Sequence, residues 1–140
     1  MTVETLCTKN VDVARVDEPV WVAAERMVQR TVGTLVVVNG DQQPLGILTD
    51  RDIVVRVVAA RRDPRMVQVG EIMTPNPRMV RTDSRTDAAL EIMREGGHRR
   101  VIVVDERGVL FGLLSLDDVL MKMASSFRVI YDLLQRKFYS

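Results

Sequence analysis

Apolar and polar positions follow two alternating periods along this chain. Val20, Ala23, Ala24, Met27 and Val28 recur at helical spacing and predict an amphipathic helix. A short β-branched run follows in "TLVVV", then the turn-rich "NGDQQP", then a second apolar run, "LGIL". Two such runs around a turn rich in Asn, Gly and Asp predict a β-hairpin. Helical spacing resumes in "DRDIVVRVVAA". The same series then starts again. Ala89, Ile92 and Met93 form a helical stripe, "RVIVV" and "LFGLL" flank the turn "DERG", and "LDDVLMKMA" closes it. Extended lead-ins at residues 11–16 and 79–82 precede the two series. Each copy therefore reads as an extended lead-in, helix, strand, strand and helix.

The copies are offset by 66 residues, as Gly46 to Gly112 shows. At that offset Asp17, Ala23, Glu25, Met27, Val37, Val38, Gly46, Leu48 and Asp52 meet identical residues, ending at Asp118. Thr49 meets Ser115, Ile53 meets Val119 and Arg56 meets Lys122. The match reaches back to "TLCTKN" over "EIMTPN", which puts Cys7 in the place of Met73 as a buried apolar filler. A unit of about sixty residues with so small a sheet is marginal alone. Packing the two copies sheet to sheet would bury their valine-rich faces. The expected fold is α/β (α+β), two β-α-β-β-α repeats in one globule plus a C-terminal amphipathic helix. The first repeat is placed at 5–62, a linker at 63–78, the second repeat at 71–124 and the helix at 125–140. Pro64, Pro75 and Pro77 break helices in the linker. In the tail, Phe127, Ile130, Tyr131, Leu134 and Phe138 share one stripe, expected to pack on the chain's own globule or on a second subunit.

At the helix starts, Asp17 is read as a cap for the first helix, and Ser84 with Asp87 as a capping-box-like pair. Thr49-Asp50-Arg51-Asp52 and Ser115-Leu116-Asp117-Asp118 each place a hydroxyl three residues before an acid. Such a pair can close a capping box. The same geometry also suits a nucleotide. A helix N-terminus offers free amides to phosphate, a hydroxyl can donate, and a carboxylate one turn in can accept from a ribose. Arg51 and Arg56 flank the first of these helices, and His98, Arg99 and Arg100 open a strand. Arginine forks match phosphate oxygens. Both readings stand on these residues. Gly46 and Gly112 would allow close backbone approach within their strands.

These tandem segments, with "VGEIMTPNP" opening the second copy, resemble a CBS-domain pair, named after cystathionine β-synthase and also called a Bateman module. "LGILTDRDIVVRVVA" and "GGHRRVIVVDERGVLFGLLSLDDVL" are close to that family's wording, and the resemblance spans residues 5–124. It implies a regulatory module whose clefts take AMP, ADP, ATP or S-adenosylmethionine as a ligand, with no cofactor required. It places the ribose-binding aspartates at Asp52 and Asp118, their hydroxyl partners at Thr49 and Ser115, and the phosphate-facing arginine at Arg100 beside His98 and Arg99. The adenine-lining segment falls at residues 74–77, which include Thr74 and Pro75, and at residues 8–11. Two departures stand out. Thr34 occupies a position where the family often has arginine, and Val36 and Ile102 replace a frequent proline. Unequal clefts are therefore expected, with one good site built from both copies. Homodimers and an effector protein are the implied partners.

Composition narrows the alternatives. The chain has 140 residues, 46% apolar and 28% charged, with a net charge of +1. That balance is ordinary for a globular protein and gives no reason to expect nucleic acid or an anionic membrane as partner. No signal-peptide pattern opens the chain and Cys7 is its only cysteine, so a cytoplasmic location is expected. One histidine and one cysteine far apart give neither a catalytic triad nor a zinc spacing. Asp50 with Asp52, and Asp117 with Asp118, are read as helix N-terminal acids, not as a magnesium site. Arg61, Arg62 and Arg65 are read as a solvated linker. Trp21 is read as a packing residue or a dimer contact.

Overall fold

Every residue of the strand Thr34–Val38 (β2) is buried, because its two faces meet two different layers. Leu35 and Val37 join Val20, Ala23 and Met27 of the helix Val20–Arg30 (α2). Val36 and Val38 point the other way and meet Ile102 and Val104 of the strand Arg100–Val104 (β6). The period-two valine run thus serves a helix on one side and the other repeat on the opposite side. Each side chain fully buried in this central layer contributes about 1.5–3 kcal/mol. The computed structural model describes residues 1–139, with side chains through residue 136.

The architecture is the expected α+β sandwich of two sheets. In the first, Val13–Ala14 (β1) runs parallel to β2, β2 runs antiparallel to Pro44–Thr49 (β3), and Thr74–Pro75 (β4) pairs antiparallel with β3. In the second, Met79–Arg81 (β5) is parallel to β6, and β6 is antiparallel to Leu110–Ser115 (β7). The hairpins shift register at equivalent places, between Val37 and Val38 and between Val103 and Val104. The amide of Val36 donates to the Asp12 carbonyl at 3.1 Å, and that of Ile102 to the Arg78 carbonyl at 3.3 Å. A proline at either position could not donate, so these two departures from the family pattern pin the lead-in segments to the sheets.

The segments that precede the lead-ins are exchanged between the repeats. The helix Val3–Leu6 (α1) puts Val3 into the core of the second repeat, beside Ala89, Met93 and Leu114. Thr8 then bridges to Leu113 of β7. Reciprocally, the helix Val69–Ile72 (α4) fills the core of the first repeat, and β4 adds to its sheet. The stretch read as a linker therefore supplies Val67, Val69 and Ile72 to the first core.

Several helix details differ from the sequence reading. Asp17 does not cap α2, whose N-cap is Pro19 without a side-chain bond. Pro19 sets the extended entry, and its carbonyl receives the first helical amides. Likewise, Arg85 stands at the N-cap of Thr86–Gly96 (α5), and Ser84 accepts from the Arg81 amide instead. Val28 is 80% exposed and outside the stripe. After Asp50–Ile53 (α3), the chain widens into a π-helical stretch, Val54–Val58. In the second repeat, the closing helix and the tail form one helix, Leu116–Tyr139 (α6). Phe127, Ile130, Tyr131 and Leu134 on its tail are half or more exposed, so that stripe does not pack on the chain's own globule. Phe138 lies outside the residues whose side chains are described. Cys7 is buried, as expected, and burial raises its thiol pKa. Trp21 is half-exposed.

Candidate functional site

The exchange of these segments leaves two clefts, each walled by both repeats. The larger has a volume of about 560 Å³, within the range of small-molecule sites. Thr49 and Asp52 come to it from the β3–α3 junction, Thr74 and Pro75 from β4, and His98, Arg99 and Arg100 from the start of β6. Thr34, Arg56 and Arg78 also line it.

The capping box expected at Thr49 is present. Asp52 Oδ2 accepts from the Thr49 amide at 2.9 Å, and Thr49 Oγ1 accepts from the Asp52 amide at 3.1 Å. Capping and cleft lining are therefore not exclusive. The cap holds the aspartate against the strand end and commits one oxygen. The other, Oδ1, faces Arg56 Nη2 at 3.7 Å, beyond a direct hydrogen bond.

Arg56 lines this cleft with one of its nitrogens already engaged by the chain. Its Nη1 donates to the Ile72 carbonyl at 2.6 Å and reaches Thr74 Oγ1 at 3.3 Å. The guanidinium thus ties the π-helical stretch to α4 and β4 and braces the cleft wall. Gly46 allows this close seating. A Cβ there would stand 2.7 Å from both Met73 Sδ and the Thr74 carbonyl. Gly112 does the same in the second repeat, where a Cβ would meet the Thr8 carbonyl at 2.6 Å and Cys7 Sγ at 2.8 Å. The paired roles of Met73 and Cys7 follow from that equivalence.

Ser115 and Asp118 stand apart from the other candidates, in the second cleft. That cleft is only about 150 Å³, with Thr8, Asn10 and Asp12 across from them. The capping pair recurs at 3.1 and 3.0 Å. Its lining includes two aspartates, Asp12 and Asp118, and no cation. Positions 32–34 read Val, Gly, Thr where the larger cleft has His98, Arg99 and Arg100. The expected inequality is thus visible in both size and charge. Arg51 lines neither cleft and is exposed on α3. Arg78 and Ile47 were not singled out from the sequence. The 66-residue offset pairs Arg78 with Asp12 of the second cleft, and that pairing was the available signal. Among the described residues, no group of three or more His, Cys, Asp or Glu is placed to hold a metal, and no helix is long and apolar enough to cross a membrane.

Two β-α-β-β-α repeats packed sheet to sheet, with a capping aspartate at each cleft, define a tandem α+β module. The CBS-domain family model matches residues 3–59 and 69–125, and the chain belongs to that family as a CBS-domain pair. An uncharacterised protein of Methanopyrus kandleri is 34% identical over 97 residues, covering 69% of this chain and 50% of the relative. The chain spans between about a fifth and just over half of the curated relatives matched first. Among solved structures, CBSX2 of Arabidopsis thaliana has a TM-score of 0.79 at 25% identity, covering 91% of this chain and 96% of that one. CBSX2 has also been solved in complex with AMP, with a TM-score of 0.76, 25% identity and coverages of 89% and 97%. A hexameric CBS-CP12 protein from bloom-forming cyanobacteria has a TM-score of 0.76 at 28% identity, covering 87% of this chain and 70% of that one.

Proposed function

We propose that this CBS pair is a regulatory, non-catalytic module. It binds one adenosine-containing ligand, from the class of AMP, ADP, ATP and S-adenosylmethionine, in the larger cleft. It passes the bound state to a partner protein. The observation that carries this reading is the juxtaposition of Thr49 and Asp52 with Arg100 across one cleft of ligand size. Asp52 keeps one carboxylate oxygen without a hydrogen bond from the chain, which suits ribose hydroxyls. Arg100 has no ion-pair partner among the described residues, which suits phosphate. Thr74 and Pro75 offer a flat extended edge for the base. The AMP complex of CBSX2 supports the ligand class.

Binding regulates a partner only through a difference in affinity between two conformations. The larger cleft has walls from both repeats, so a ligand there is positioned to change their relative packing. The exposed apolar side of α6, with Phe127, Ile130 and Leu134, supports a second copy of this chain as the first partner and an effector protein as the second. A cytoplasmic setting fits the lone buried cysteine.

The test is thermal unfolding with AMP, ADP, ATP, S-adenosylmethionine and a guanine-nucleotide control. A ligand at a hundred times its Kd stabilises the fold by about 2.7 kcal/mol, a clear rise in Tm. The expected result is a shift with adenosine ligands that Asp52→Ala abolishes. No shift with any of them would return Thr49 and Asp52 to a purely capping role.

A further inference from the structure

The larger cleft carries more cationic charge than a single phosphate needs. Arg78 precedes β5, and Arg99 and Arg100 stand at the start of the neighbouring β6, so three arginines line this one cleft. Their backbone is held: the Arg78 carbonyl accepts from the Ile102 amide at 3.3 Å, and the Arg99 carbonyl from the Leu116 amide at 2.8 Å. Two exposed carboxylates partly neutralise the group. Glu95 lies 3.5 Å from Arg78, and Asp117 lies 3.3 Å from Arg99. The fold does not require this charge. The equivalent positions around the smaller cleft are Asp12, Gly33 and Thr34.

We infer that Arg78, Arg99 and Arg100 form a polyphosphate clamp, and that the cleft prefers adenosine di- and triphosphate over the monophosphate and S-adenosylmethionine. This rests on the adenosine-ligand reading and specifies its charge class. One guanidinium fork satisfies one phosphate, whereas a chain of two or three phosphates engages the whole group. The sulfonium of S-adenosylmethionine is a cation and meets three like charges there. Glu95 and Asp117 act as competing acids. Both ion pairs are exposed, so each is weak and exchangeable, and their carboxylates set how strongly the second and third phosphates are held.

The experiment is titration calorimetry of the full chain with AMP, ADP, ATP and S-adenosylmethionine, in EDTA at two salt concentrations. Wild type is expected to bind ATP at least about tenfold tighter than AMP, with the steeper salt dependence. Arg78→Gln should cost ATP about tenfold and AMP under about threefold. The double variant Glu95→Gln/Asp117→Asn should tighten ATP by about fivefold and leave AMP nearly unchanged. Equal affinity for AMP and ATP, or tighter binding of S-adenosylmethionine, overturns the clamp and leaves the adenosine reading standing. Equal losses of AMP and ATP in Arg78→Gln also overturn it. Failure of every nucleotide to bind overturns both.

Discussion

Arg56 donates to the Ile72 carbonyl at 2.6 Å, across a gap of sixteen residues in sequence. This bond joins the end of the first repeat to the segment that begins the second, and Thr74 Oγ1 receives a second contact at 3.3 Å. Arg56→Met keeps the aliphatic stem and removes both contacts. A hydrogen bond from a charged donor is worth about 1.5–3 kcal/mol when enclosed, and Arg56 is partly exposed. The expected loss is about 1 kcal/mol in urea unfolding. Adenosine-ligand affinity should also fall, because Thr74 loses its tether.

Asp52 and Asp118 make the same capping bonds but face clefts of opposite charge. Asp52→Ala and Asp118→Ala should each cost about 0.5–2 kcal/mol of stability through the lost cap. Only Asp52→Ala should abolish ligand binding in calorimetry. If the two variants lose affinity equally, the smaller cleft also holds ligand and the proposed asymmetry is wrong.

Much of this arrangement was legible in the sequence for definite reasons. The 66-residue offset exposes the duplication, and the valine-rich runs in β2 and β6 expose the sheet-to-sheet layer. Thr49 with Asp52 announced a cap because the bond is local. What stayed hidden depends on contacts distant in sequence. Nothing near Val3 says that it enters the second core, and nothing near Ile72 says that its carbonyl receives Arg56. Pro19 displaced Asp17 from the N-cap because proline already fixes the extended entry that a cap requires. Arg78 escaped notice because its charge has meaning only beside Arg99 and Arg100 on the adjacent strand.

Glu71 links pH to the stability of α4. Its carboxylate accepts from the Gln68 amide at 2.7 Å and pairs with Arg62 at 2.8 Å. These two contacts, the amide first, hold it below the usual glutamate range. A depressed carboxylate contributes stability above its unfolded value, and that contribution disappears as pH falls through the folded value. The loss therefore begins near pH 4.5 and grows below it. Asp63 shifts in the same direction through Arg65, so wild type must be compared with Glu71→Gln. The expected gap in Tm between them is present at pH 7 and closes under acid. A gap independent of pH would show that the charge of Glu71 is not what holds α4.

Cys7 tests the exchanged N-terminal segment. Burial raises its thiol pKa, and its sulfur lies 2.8 Å from where a Cβ on Gly112 would stand. Less thiolate and little access both slow reaction. Alkylation at pH 8 should be at least about a hundredfold slower than in denaturant, since it requires the N-terminal segment to open. Gly112→Ala should push that segment away and accelerate the reaction. Rapid labelling of the native wild type would place Cys7 outside the second core.

The proposed homodimer has its own test on α6. Leu120, Met123, Phe127, Ile130 and Leu134 recur at alternating spacings of three and four, each between 44% and 64% exposed. That spacing is the seam of a helix packed against another helix. Arg128, Asp132, Gln135 and Arg136 lie beside this seam, and Val129, Tyr131 and Leu133 are exposed there as well. Wild type should sediment as a dimer, with a Tm that rises with protein concentration. Phe127→Glu/Ile130→Glu should give a monomer whose Tm is independent of concentration. The variant should retain ATP binding, because the larger cleft lies on other elements. A wild type that is already monomeric at high concentration would assign this face to a different protein.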